Sequence, residues 1–166
     1  LFYVVIRPNP SVSERPGRPP VPLPAPVAGT AGYSPVDGGR RVHRVINGDR
    51  NNLQIIVVEL RRASPSGHPV SSRETVPPYV QIIDTPRLRA WRLILEPGQS
   101  APAIVQGGDG VRVVVRGGLL TTTMPGLPDQ TLALEPGNFA VQDRGATRAL
   151  RNSGSETIEI VELELK

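Results

Sequence analysis

The chain has 166 residues and a formal charge of +4; apolar residues make up 38%, aromatics 4%, and there are 17 Gly and 19 Pro. That much Gly and Pro argues against a helical bundle, because both break helix interiors, and no apolar run approaches the roughly 20 residues a membrane helix needs. With no cysteine there is no disulfide framework, thiol nucleophile or zinc–thiolate site.

Residues 1–6 (LFYVVI) are β-branched and aromatic and predict a buried strand. Eight prolines then fall within 8–26. Proline lacks the N–H and fixes φ, so this stretch can hold neither a helix nor a central strand. An extended, polyproline-like arm or long loop is expected, suited to lying along a partner. Residues 41–47 (RVHRVIN) and 53–60 (LQIIVVEL) predict two strands joined by the turn GDRNN. Ser and Pro dominate 63–79, which reads as a linker; it carries His68, Ser64, Ser66, Ser71 and Ser72, with no nucleophile elbow around them. Further strands are predicted at 80–84, 88–95, 111–115, 131–134, 139–142, 148–152 and 157–165, separated by Gly/Pro turns such as EPGQ, MPGLPD and EPGN. Short strands at regular spacing with turn signals indicate an all-β sandwich or barrel. On 88–95, Arg89, Trp91, Leu93 and Leu95 share one face, which makes Trp91 a core plug or interface anchor. Glu159, Glu162 and Glu164 on the last strand are expected on a solvated outer face.

The basic residues are 18 Arg and one Lys, Lys166. Residues 1–62 hold nine Arg against four acids, whereas 63–166 hold nine Arg and the Lys against eleven acids. The cluster Arg40, Arg41, His43, Arg44 and Arg50 could meet a polyanion or an anionic membrane surface. No aromatic side chains interleave with it, which argues for a solvated strand edge and against nucleic acid. Gly107-Gly108-Asp109-Gly110 is a turn between strands rather than a phosphate cradle. The chain begins at Leu1 with no signal-peptide pattern; an exported protein with its leader removed fits, as does a fragment. The compartment is open, with export favoured over the cytoplasm.

The chain repeats itself. A shift of 105 residues lays 43–47 (HRVIN) on 148–152 (RALRN) and 53–60 on 158–165 (IEIVELEL) without a gap. Gly29 then corresponds to Gly137, and residues 3–6 (YVVI) to 113–116 (VVVR). The second copy has about 30 residues before that strand and the first has almost none. Three segments follow: 1–62, a partial β unit with its Pro-rich arm; 63–79, a linker; and 80–166, a complete β-barrel.

The glycine frames resemble the cupin superfamily of jelly-roll barrels. Residues 97–106 (PGQSAPAIVQ) with 113–118 (VVVRGG) follow the first cupin motif, and 134–137 (LEPG), 145–148 (GATR) and Asn152 follow the second. The resemblance implies a jelly-roll over 80–166 and an incomplete, repeat-related half before it. It also implies where metal ligands would stand: Ile104 and Gln106 at the two histidines of the first motif, Gly110 or Val111 at its glutamate, and Arg148 at the histidine of the second. Ile, Gly and Val offer no donor, Gln is a weak neutral ligand, and Arg is a permanent cation. No metal and no cofactor is therefore expected there. The first copy keeps His43 and Asn47 at second-motif positions, but one His is not a site, since a metal centre needs about three protein ligands.

These readings favour a non-catalytic, cupin-like structural subunit that docks onto a larger assembly, with a protein partner or a second copy covering the open edge of the incomplete half. Peripheral contact with a membrane is compatible with that reading. One alternative is a metal-free binder of an anion or sugar that uses Gln106 and Arg148, with Trp91 nearby. Another is a metal-dependent cupin enzyme with its site in the first copy, around His43.

Overall fold

The computed structural model describes residues 1–35, 42–61, 67 and 69–166. Arg40, Arg41, Ser64, Ser66 and His68 lie outside the described residues. All regular structure among the described residues is β, in two compact units, Leu1–Leu60 and Arg61–Lys166.

The first unit has six strands: β1 (Phe2–Arg7), β2 (Ser11–Arg15), β3 (Arg18–Leu23), β4 (Ala31–Tyr33), β5 (Arg44–Asn47) and β6 (Gln54–Val58). They form two antiparallel three-stranded sheets, in the orders β4-β1-β6 and β3-β2-β5. The proline-rich stretch is therefore not an arm. It folds as the β2–β3 hairpin around Gly17, whose φ is +69°. Pro19, Pro20 and Pro22 all lie in β3, which is a sheet edge. Alternate N–H groups of an edge strand face away from the ladder, and the register is irregular between Ser13 and Arg15, opposite Pro19 and Pro20, so the prolines are tolerated there.

The second unit has nine: β7 (Tyr79–Asp84), β8 (Leu88–Leu95), β9 (Ser100–Val105), β10 (Gly110–Arg116), β11 (Gly118–Thr123), β12 (Gln130–Leu134), β13 (Phe139–Gln142), β14 (Thr147–Asn152) and β15 (Ile158–Leu165). Two sheets result, β13-β10-β15-β8-β7 and β12-β11-β14-β9. Alternation along β8 and β15 sends Trp91, Leu93, Leu95, Ile158 and Ile160 inward, where Ala101, Leu120 and Leu150 of the facing sheet complete the core. Strands β4, β9 and β11 are not predicted from the sequence. β9 contains Pro102 and sits at a sheet edge, with an irregular register opposite β14. Residues 69–79, expected to be linker, fold into this unit, with Arg73 buried and Ser71 bonded to Glu164.

The two units share one pairing scheme. In the second, Val114 pairs with Ile160, and the register breaks before Arg116 meets Glu159. In the first, Val5 pairs with Ile55, and the same break precedes Arg7 with Gln54. Gly137 N–H donates to Val114 O at 2.8 Å, and Gly29 N–H donates to Val5 O at 2.8 Å. Both glycines have positive φ, +89° and +79°, which a side chain would strain. In the other sheets Leu120 pairs with Leu132 and Asn152, and Ser11 with Leu23 and Asn47. Val5 is thus the counterpart of Val114, so the alignment of 3–6 with 113–116 drawn from sequence is one residue out of register.

Among the described residues, strands β7, β8 and β9 have no counterpart in the first unit. β15 lies between β10 and β8, and β14 between β11 and β9; their equivalents β6 and β5 pair on one side only. The inward side chains of the first unit are consequently open: Ile55 is 37% exposed, Val45 45% and Val57 56%.

Candidate functional site

The second unit buries a charge cluster inside its barrel. β15 is buried at every residue from Ile158 to Glu164, so both of its faces are covered, and Glu162 and Glu164 point inward with Ile158 and Ile160 instead of onto the solvated face expected for them. A buried carboxylate persists only when paired and hydrogen-bonded. Arg112 lies directly across the ladder from Glu162, and its Nε donates to Glu162 Oε1 at 2.8 Å. Arg73 comes from the segment before β7. Its Nη1 donates to Glu162, and its Nη2 donates to Glu164 Oε1 at 2.6 Å and to Gln106 Oε1 at 3.2 Å. Its guanidinium stacks over Trp91, 4.3 Å from the ring centroid, and Tyr79, at 4.9 Å. Ser71 fixes the other side of Glu164, its N–H donating to Oε2 at 2.7 Å and its hydroxyl to Oε1 at 2.5 Å.

Gln106 and Arg148 meet: Arg148 Nη2 donates to Gln106 Oε1 at 2.8 Å. Gln106 Nε2 donates to Gly108 O at 3.0 Å, so each polar atom of this amide is engaged within the protein. Ile104 is partly buried against the core. Trp91 is fully buried beneath Arg73 and presents no open platform. Asn152 is fully buried and clamps the turn after β14: Nδ2 donates to Leu95 O at 2.8 Å and Glu156 O at 2.7 Å, and Oδ1 accepts from Gly154 N–H at 3.0 Å. Asn47 does the same work after β5, donating to Asp49 O and Asn51 O. His43 is exposed and lines an open cavity of about 560 Å³ in the first unit, with Tyr3, Val5, Val45, Ile55 and Val57. Among the described residues no group of three or more His, Asp or Glu is placed to hold a metal ion. In the basic cluster, Arg44 pairs across the ladder with Glu14, its Nε donating at 2.9 Å.

Electrostatics follow from burial. Burial alone would raise the Glu162 carboxyl, but Arg112, Arg73 and Arg148 outweigh it and hold it at about 2. Burial and Glu162 push the Tyr79 phenol up, against Arg73 and Arg112. Arg148 is pushed down from its ordinary value, first by burial and then by Arg112 and Arg73, with Glu162 opposing. Burial works against the charge on Arg73 too, yet Glu162, Tyr79 and Glu164 together raise it.

The residues that the sequence resemblance sets at metal positions, Ile104, Gln106 and Arg148, do not suit a divalent cation. Ile104 has no donor, the Gln106 oxygen is shared between two guanidiniums, and Arg148 repels a cation. The positive charge facing Glu162, Glu164 and Gln106 is the Arg73 guanidinium itself. Sequence reasoning missed Arg73 because it lies in a Ser/Pro-rich stretch. The usable signal was the alternation of Glu162 and Glu164 with the apolar Val161, Leu163 and Leu165 on one strand, which demands cations once that strand is buried.

A cupin domain from Bordetella pertussis Tohama I is similar, with a TM-score of 0.50 and 21% identity over 59% of this chain and 95% of that one. The fold is that of a cupin. An RmlC-like cupin family protein with a double-stranded β-helix fold, from Methanocaldococcus jannaschii, gives a TM-score of 0.47 and 14% identity over 66% of this chain and 89% of that one. No family model and no curated protein matches the chain. The cupin fold accounts for the glycine-marked turns and the two four- and five-stranded layers of the second unit, and no helix among the described residues is long and apolar enough to cross a membrane.

Proposed function

We propose that this protein is a non-catalytic, cupin-fold interaction subunit whose first unit accepts β-strands from a protein partner. One observation carries the reading: β6 and β5 are open on the sides where β15 and β14 are paired with β8 and β9. An unpaired edge presents a row of N–H and C=O groups that template another strand. Beside those edges lies an apolar interior lined by Tyr3, Val5, Val45, Ile55 and Val57, in which Val45, Ile55 and Val57 are exposed. Main-chain pairing would supply affinity and the inner face the specificity. The pattern of β8, apolar at every second residue, describes the chemistry of the strand that fits.

Native mass spectrometry of the protein from its source tests this. The expected result is a discrete complex with a second polypeptide, lost in Ile55→Glu while the thermal unfolding of the variant matches wild type. A wild-type chain that remains a stable monomer in its source extract, or a complex indifferent to Ile55→Glu, overturns it.

A further inference from the structure

A row of basic side chains crosses one end of the first unit. In the β2–β3 hairpin Arg15 lies directly opposite Arg18 across the Pro16-Gly17 turn, and both are exposed. On the other side of β2, Glu14 pairs with Arg44, and one residue further along that register His43 comes opposite Arg15. Like charges directly opposite one another in a ladder are destabilising. Among the described residues no carboxylate relieves this row: Glu14 is taken by Arg44, Asp49 accepts from Asn51 N–H in the turn at the far end of β5, and Glu59 does not line the cavity that Arg15 and His43 share.

That cavity, of about 560 Å³, is otherwise mainly apolar, so what fills it needs an apolar body and an anionic end. The second unit shows how such an end is met. There Arg148, the equivalent of His43, donates to Gln106, the residue that follows β9, and β9 runs antiparallel to β14 at the sheet edge. Among the described residues the corresponding edge of β5 is open. A strand added there in the direction of β9 brings its C-terminal end to His43 and Arg15. A neutral Gln suffices beside Arg148 because Glu162 supplies negative charge nearby. The register places Val57 at the position equivalent to Glu162, so in the first unit the incoming strand must bring the carboxylate itself.

We propose that the strand accepted by β5 carries a Glu or Asp at its C-terminal end, on its inward face, and that Arg15, flanked by Arg18 and His43, holds that carboxylate. This inference rests on the strand-accepting reading above and adds to it the charge of the partner. Main-chain pairing and the apolar wall bind any alternating strand, whereas the basic row selects an acidic one and fixes its direction.

Fluorescence anisotropy of the full chain tests this with the peptide Thr-Val-Thr-Val-Thr-Val-Thr-Glu, labelled at its N-terminus with a zwitterionic rhodamine and amidated at its C-terminus, and with the same peptide ending in Gln or in Lys. The Glu peptide is expected to bind about tenfold tighter than the Gln peptide, and the Lys peptide more weakly than either. The double variant Arg15→Gln, Arg18→Gln, at exposed positions, is expected to keep the wild-type Tm, to bring the Glu peptide to within about twofold of the Gln peptide, and to leave the Gln peptide unchanged. Ile55→Glu is expected to abolish binding of all three. Equal affinity of the wild type for the Glu and Gln peptides, or a Glu preference that survives the double variant, overturns this inference and leaves strand acceptance standing. A Glu peptide that still binds Ile55→Glu is held by charge alone and overturns it as well. A dimer that refuses all three peptides assigns the edge to a second copy and overturns this inference alone, whereas a monomer that refuses them overturns the strand-accepting reading with it.

Discussion

Arg73→Ala tests whether the buried cluster is what holds the second unit closed. Arg73 is 1% exposed, so its removal opens a buried gap beneath Trp91 and Tyr79 that water fills poorly. It leaves Glu164 with Ser71 as its remaining partner and Glu162 with Arg112. Breaking a buried ion pair by deleting one member costs about 3–5 kcal/mol, because the surviving charge stays desolvated. For a unit of this size that corresponds to a fall in Tm of roughly 12–20 °C. The chain has a single tryptophan, and Arg73 stacks on it. Thermal unfolding followed by Trp91 fluorescence therefore reports this unit directly. The double change Arg73→Met, Glu164→Gln removes the cation together with the carboxylate that depends on it, leaves Glu162 paired with Arg112, and is expected to recover much of the loss. A loss below about 1 kcal/mol in Arg73→Ala would refute the reasoning and make the cluster incidental to stability.

Two further outcomes follow from the same geometry. Glu162 sits at about 2 in the folded state against an ordinary 4.5. Its contribution, about 3 kcal/mol, is therefore fully present above the ordinary carboxyl value and is lost as pH falls from there toward 2. Acid unfolding monitored through Trp91 should show this loss, and Glu162→Gln should flatten it. Asn152→Ala removes two donors and an acceptor from a fully buried turn. It is expected to cost about 2–3 kcal/mol in urea unfolding, whereas Asn47→Ala, at the exposed end of β5 where water reaches the freed carbonyls though the Asn9 amide loses its acceptor, is expected to cost about 1 kcal/mol.

The strand content was legible because apolar alternation and glycine turns are local signals. Residues 88–95, 131–134, 139–142 and 148–152 emerge as β8, β12, β13 and β14 with shifts of a residue or less. β9 and β11 were not, since Pro102 in one and Gly118 with three threonines in the other mask the pattern, and only pairing with β14 makes them strands. The same holds for β3, where edge position overrides the prolines. The glycine frames singled out Gln106 and Arg148, which bond to each other in the second unit. They could not reveal Arg73, because its partners Glu162 and Glu164 are about 90 residues away in the chain.

The two units show how one pairing scheme diverges. The register breaks at Val114 and Val5 identify equivalent inward positions. By that equivalence Arg112 corresponds to Tyr3, Arg148 to His43, Glu162 to Val57 and Glu164 to Glu59. In the second unit these positions are charged, Arg112 pairing with Glu162, Arg148 with Gln106 and Glu164 with Arg73, and β8 and β9 extend the two sheets beside them. Among the described residues of the first unit no such strands flank them, and Val57 and Glu59 are exposed. Without those strands, a guanidinium–carboxylate cluster would be solvent-screened and worth little, whereas an apolar lining gains from whatever covers it at about 25 cal/mol per Å² buried. The charge pattern and the missing strands thus agree: the second unit's polar interior depends on closure within the chain, and the first unit's apolar interior is suited to closure by a partner.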